Sequence, residues 1–151
     1  MAEILDLEGT LESLRDFGPI RRMILAVPGT LQGTLTAYFG SEVGIEVRFQ
    51  DDSRDEKHFT REVDLVCRER GMVVCRARTD VLVEDEDIRN MLRERKVGLG
   101  QVVELLRIPT TFELEEAGED SEFFWRVYEL RGAGFVYRIR EEFPSGLYPE
   151  A

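Results

Sequence analysis

The chain has 151 residues, of which 42% are hydrophobic and 34% charged, and a formal net charge of −11. That length and mix describe one globular domain with a sizeable core, not a disordered segment. The negative charge opposes contact with phosphate backbones, so nucleic acid is not an expected partner, and a small anion would need a locally positive pocket. No early segment joins a basic start to an apolar run, and no stretch is long enough to span a bilayer. A cytoplasmic chain without a membrane partner is therefore expected, its oligomeric state unspecified. His58 is the only histidine, which confines Ser-His-Asp chemistry to that residue and argues against a catalytic zinc.

In chain order, the leucines at 5, 7, 11 and 14 predict an initial helix over residues 3 to 16, ending at Phe17-Gly18-Pro19. A second helix is expected from about Thr30, with Leu31, Leu35, Tyr38 and Phe39 as its apolar stripe and Gly40 closing it. Val43, Ile45, Val47 and Phe49 alternate as one face of a strand. A long hairpin follows, from about residue 58 to 69 and from 72 to 83, turning at Gly71. It carries Cys67 and Cys75, which either face each other as a pair or, as a reducing compartment favours, stay buried free thiols. Asp85-Glu86-Asp87 opens an acidic helix start, and a short helix from Leu99 to Leu106 is stopped by Pro109. Three strands complete the chain, over residues 110 to 116, 123 to 131 and 135 to 143, the last two joined through Gly132-Ala133-Gly134. The order of elements predicts an α+β fold: a six-stranded antiparallel sheet with helices on one side and over the edges.

Two charges break the apolar rows. Phe59, Arg61, Val63, Leu65 and Cys67 share one face of a strand, and Phe135, Tyr137, Ile139, Glu141 and Phe143 share one face of another. Arg61 and Glu141 therefore point inward, where unpaired charge is expensive. Either they form structural pairs, Arg61 with Glu141 or with Asp64, or both face a ligand. Arg126 poses a similar question, since both faces of its strand are apolar.

Five phrases, in order and spacing from about residue 20 to 148, resemble the chorismate lyase family, in particular its short archaeal and bacterial branch. They are Gly29-Thr-Leu-Gln32, Arg61-Glu-Val-Asp-Leu65, Gly98-Leu-Gly100, Trp125-Arg-Val-Tyr128 and Glu141-Glu-Phe-Pro144. The resemblance implies a six-stranded antiparallel sheet, shared with UTRA ligand-binding domains, and conversion of chorismate to 4-hydroxybenzoate and pyruvate without metal or organic cofactor. It implies that Arg61 binds the ring carboxylate and that Glu141 lies near the 4-oxygen as the second catalytic residue. Leu31, Gly98, Leu99 and Gly100 would then contribute to substrate binding, Leu31 from a helical flap; Arg126, which the alternation leaves either structural or facing the ligand, is a further candidate for substrate binding. The chain departs from the family's Pro-Leu-Gly-Arg at Gly98-Leu99-Gly100-Gln101, and its Glu141-Glu142-Phe143-Pro144 is one residue shorter before proline. Glu142 is thus the alternative pocket carboxylate, although alternation turns it outward with Arg138 and Arg140.

The chemistry suits these residues. Arg61 offers a planar fork matched to a carboxylate, and Glu141 can share, donate or accept a proton. The expected ligand is a small aromatic or cyclic carboxylate in a buried pocket. The alternative function is a non-catalytic binder of such a molecule, like a UTRA sensor but with no room for a DNA-binding module.

Overall fold

The computed structural model describes residues 2–29, 31–51, 57–93 and 99–150. Its strands are Ala2–Ile4 (β1), Val43–Asp51 (β2), His58–Cys67 (β3), Met72–Val83 (β4), Thr110–Glu119 (β5), Phe123–Gly132 (β6) and Phe135–Pro144 (β7). Its helices are Leu7–Leu14 (α1), Pro19–Leu25 (α2), Gln32–Phe39 (α3), Glu86–Arg93 (α4) and Leu99–Leu105 (α5), with a 3-10 turn at Ser145–Leu147. The strands form one seven-stranded sheet in the order β1-β5-β6-β7-β4-β3-β2. Every neighbouring pair is antiparallel except β1 with β5.

The α+β class and all six expected strands are present; the seventh strand is a correction. β1 runs parallel to β5, Ala2 opposite Thr110 and Ile4 opposite Phe112, where a helix from residue 3 was expected. Asp6 explains the difference. Its Oδ1 accepts the Gly9 N–H at 2.9 Å, so it caps a helix that begins at residue 7 and leaves the preceding residues extended. The leucine stripe also misleads, since Leu5, Leu7 and Leu11 are exposed while Thr10 and Leu14 are buried. α2 was not expected at all. Pro19 was read as a stop, but it stands in the first turn of α2, where proline has no N–H to waste and its φ is already helical.

The remaining turns follow the glycines. Gly40 ends α3 in the left-handed region at φ 65°, and Gly71 and Gly134 turn their hairpins at φ 62° and 86°. α5 ends without glycine. Arg107 takes φ 53°, and the N–H groups of Arg107 and Ile108 donate back to the carbonyls of Glu104 and Val103, both at 3.1 Å. That closes the helix with the double bond pattern usual before a proline.

One sheet face carries the core. Leu14, Leu25, Leu31 and Leu35 pack with Cys67, Cys75, Phe124 and Phe143. Ile88, Leu92, Val102 and Val103 pack with Val81, Phe112, Tyr137 and Ile139. Cys67 and Cys75 are free and buried. The other face is a lattice of charge: Arg76, Arg78, Arg138 and Arg140 are exposed there, with Arg138 bound to Glu115 at 3.0 Å and Arg78 to Glu62 at 3.6 Å.

Three strands carry register shifts. The one in β2 lies between Val47 and Phe49, so Arg48 is an extra residue and the parity reverses after it. Phe49, expected inside, is 49% exposed, and Gln50 turns inward at 8%. A second shift, beside Leu65 and Val66 of β3, makes Val74 the extra residue of β4. The Tyr148 hydroxyl donates to the Val74 carbonyl at 2.6 Å, and Tyr148 itself is fully buried. The C-terminal segment thus satisfies a backbone group that the bulge takes out of the ladder. Tyr148→Phe is expected to cost about 1–2 kcal/mol of stability, read from urea unfolding; an unchanged midpoint would show that the bond contributes nothing.

Candidate functional site

Three adjacent rungs of the sheet assemble the site. Glu141 of β7 lies opposite Ala77 of β4, Ile139 opposite Thr79, and Tyr137 opposite Val81. On the next strand, Val63 lies opposite Ala77 and Arg61 opposite Thr79. Arg61 is therefore on the middle rung, with Glu141 and Tyr137 on the rungs to either side. All three line one cavity of about 70 Å3. Leu31, just before α3, and Leu99, opening α5, close it from the helical side, and Val63, Leu130 and Ile139 make its apolar wall. The sequence-expected residues Arg61, Glu141, Leu31 and Leu99 are thus brought together. Gly98 lies outside the described residues, and Gly100 is in the first turn of α5.

Arg61 is 1% exposed. Its Nε donates to Gln50 Oε1 at 3.0 Å, and its Nη2 donates to the Leu92 carbonyl at 2.6 Å. The first partner exists because the β2 bulge turns Gln50 inward. The second is a carbonyl in the last turn of α4, at the negative end of the helix dipole, where a cation is favoured. Pairing with Asp64 does not occur: Asp64 lies on the opposite face and takes Arg48 at 2.8 Å.

Glu141 is 5% exposed and pairs with Arg126 Nε through Oε1 at 2.6 Å. Its Oε2 lies 3.4 Å from the Tyr128 hydroxyl. Glu142 is only partly buried, and its Oε1 meets Arg140 at 3.4 Å on the charged face, so the inward carboxylate is Glu141. Arg126 stands behind Glu141, not on the cavity wall. It is fully buried, with Nη1 donating to the carbonyls of Leu25 and Val27 at 3.0 and 2.6 Å and Nη2 to Gly29 at 3.1 Å. The guanidinium also lies 4.3 Å from the centre of the Tyr128 ring, a favourable cation–π distance. Arg126 is committed to holding Glu141 and the segment between α2 and α3.

Burial raises the Cys75 thiol well above its ordinary range, and the Glu141 carboxylate adds to that. Tyr128 is pushed up in the same way, first by burial and then by Glu141. Tyr137 is also raised by burial, the nearby Arg61 charge opposing it. The alternation of its strand places its ring on the inward face with Phe135 and Ile139. Its hydroxyl has a further property that hydropathy does not encode: it is buried and, among the described residues, meets no hydrogen-bonding partner.

A larger groove of about 550 Å3 lies beside α5, lined by Pro28, Gly29, Val103, Arg107 and Thr110. Its charged side chains, Glu104 and Arg107, are exposed, so it lacks the desolvated charges of the smaller cavity. Among the described residues no group of three or more His, Cys, Asp or Glu side chains is arranged to hold a metal ion, and no helix is long and apolar enough to cross a membrane. No protein-family model matches the chain, and no curated protein matches its sequence.

Arg126→Met strands a buried carboxylate and three carbonyls, and is expected to cost about 3–5 kcal/mol. The double change Arg126→Met with Glu141→Leu should recover part of that loss. A single-variant loss below about 1 kcal/mol in urea unfolding would show that the pair is not the anchor described. The raised Cys75 and Tyr128 also set a pH dependence. The unfolded chain releases these protons from about pH 8.5 and 10 respectively, whereas the folded chain retains them. Their contribution is complete below about pH 8.5 and falls as pH rises. Cys75→Ala should flatten the first part of that decline in denaturation measured between pH 7 and 10.

Proposed function

We propose that the chain is a cofactor-independent lyase that converts chorismate to 4-hydroxybenzoate and pyruvate. The observation that supports this most directly is the single cavity in which an inward arginine and an inward carboxylate face the same small volume. At about 70 Å3, it is well below the roughly 300–1,000 Å3 of sites for drug-sized ligands. It is also smaller than the roughly 150 Å3 cavity that takes up benzene, so in this reading the side chains of Leu31 and Leu99 give way to admit the ring.

In this reading Arg61 holds the ring carboxylate. Its anchors at Gln50 and Leu92 fix the guanidinium before the ligand arrives, so little orientation is left to lose on binding. Glu141 faces the opposite end of the ring near the 4-oxygen. The reaction breaks the ether bond to the enolpyruvyl group and removes one ring proton, which makes the ring aromatic. The oxygen leaves with the electrons of that bond as the enolate, which takes up one proton at its methylene carbon to become pyruvate. Aromatisation supplies the driving force, so the protein has to orient the ring, neutralise its carboxylate and accept a proton. Glu141 suits the acceptor role because Arg126 Nε holds its other oxygen and fixes its direction.

A second reading is a non-catalytic binding domain for a small aromatic carboxylate. It is favoured by the engagement of Glu141 with both Arg126 and Tyr128, which leaves the carboxylate already partnered in the free protein.

Purified protein given chorismate without added cofactor should release pyruvate and 4-hydroxybenzoate in equal amounts. Arg61→Ala should lower kcat/KM by roughly two to three orders of magnitude. Arg61→Lys, which keeps the charge but not the fork, should recover only a fraction. Absence of product at high protein concentration, with 4-hydroxybenzoate still bound, would replace the lyase by the binder.

A further inference from the structure

The Tyr137 hydroxyl is a polar group on the cavity wall whose placement the described residues do not explain. Tyr137 is fully buried, lines the same cavity as Arg61 and Glu141, and its hydroxyl has no hydrogen-bonding partner among the described residues. A buried hydroxyl left unsatisfied is costly, and phenylalanine would fill the same space among Phe135, Val81 and Leu130 without that cost. The ring is well packed, its centre 4.6 Å from that of Phe135. The hydroxyl is therefore held in place on the lining of the cavity, where an occupant can supply the acceptor that the described residues do not.

Its position indicates which part of the occupant. Tyr137 stands one rung from Arg61 along the sheet, on the side away from Glu141. The two are close enough for the Arg61 charge to act on the phenol. Burial nevertheless raises the phenol, so at neutral pH it keeps its proton and acts as a donor. We infer that Tyr137 is a substrate-binding residue whose hydroxyl donates to the carboxylate of the bound ring beside Arg61, making the site selective for ring carboxylates over rings that lack the group. This rests on the pocket reading above and adds to it a second, neutral recognition group for the same anion.

The test is Tyr137→Phe in the full chain, with benzoate and 4-hydroxybenzoate as probes and calorimetry for their dissociation constants. Both probes should bind about ten- to a hundredfold more weakly to the variant, the scale of losing one hydrogen bond to a charged group. The thermal midpoint of the free variant should be unchanged or higher, because no protein bond is lost. Equal affinity of both proteins for both probes overturns the inference while leaving the pocket. Weakening confined to 4-hydroxybenzoate overturns it too, since the hydroxyl would then meet the 4-oxygen. A free variant that melts several degrees lower also counts against it, by showing that the phenol has a partner within the folded protein. Failure of the unaltered protein to bind either probe removes the pocket reading and this inference together.

Discussion

An arginine without solvent must be given hydrogen-bond acceptors, and the structure around Arg126 is organised by that demand. Its donors reach one carboxylate, Glu141, and the carbonyls of Leu25, Val27 and Gly29. Those carbonyls run from the last residue of α2 into the connection that precedes α3, where the backbone has few regular partners to offer. A single side chain thus satisfies a run of backbone groups and joins that segment to the centre of the sheet. The segment leads directly to Leu31, so the clamp also determines where one wall of the cavity stands.

Arg61 does the corresponding work on the other side. Its acceptors are Gln50 on the neighbouring strand and the Leu92 carbonyl of α4. The two arginines each fasten a non-strand element to the sheet, and the cavity is the space left between the fastenings. Apolar residues alone would close such a space by collapsing, because cores pack to the density of organic crystals. Two buried guanidinium groups, each committed to fixed acceptors, hold its sides in place.

Much of this arrangement was legible in the sequence because strands report their faces with a period of two. Arg61 and Glu141 were placed inward by that rule alone, on strands far apart in the chain, and both line the cavity. The rule fails wherever an extra residue enters. Phe49 was assigned to the core by counting from Val43, and the bulge at Arg48 exposes it and puts Gln50, a partner of Arg61, in its place. Arg126 was ambiguous because its partners are carbonyls about a hundred residues away, which no local pattern reveals. α2 was missed for a simpler reason: proline opens helices as readily as it ends them, and Gly18 beside it suggested only the second role. Tyr137 was read only as one more member of an inward row, because the state of one hydroxyl depends on what surrounds it in three dimensions.

The bulge at Arg48 has a consequence at the rim of the sheet. β2 ends the strand order on one side and β1, three residues long, ends it on the other. An open rim presents spare N–H and C=O groups that another chain can extend, the first step of edge-to-edge aggregation. A one-residue insertion kinks β2 and interrupts the regular spacing that a docking strand would have to match. Exposed Glu46 and Arg48 add charge along the same stretch, while the opposite rim is too short to template much pairing. The irregularity that delivers Gln50 to Arg61 therefore also helps to keep separate copies of this protein from polymerising through their sheets.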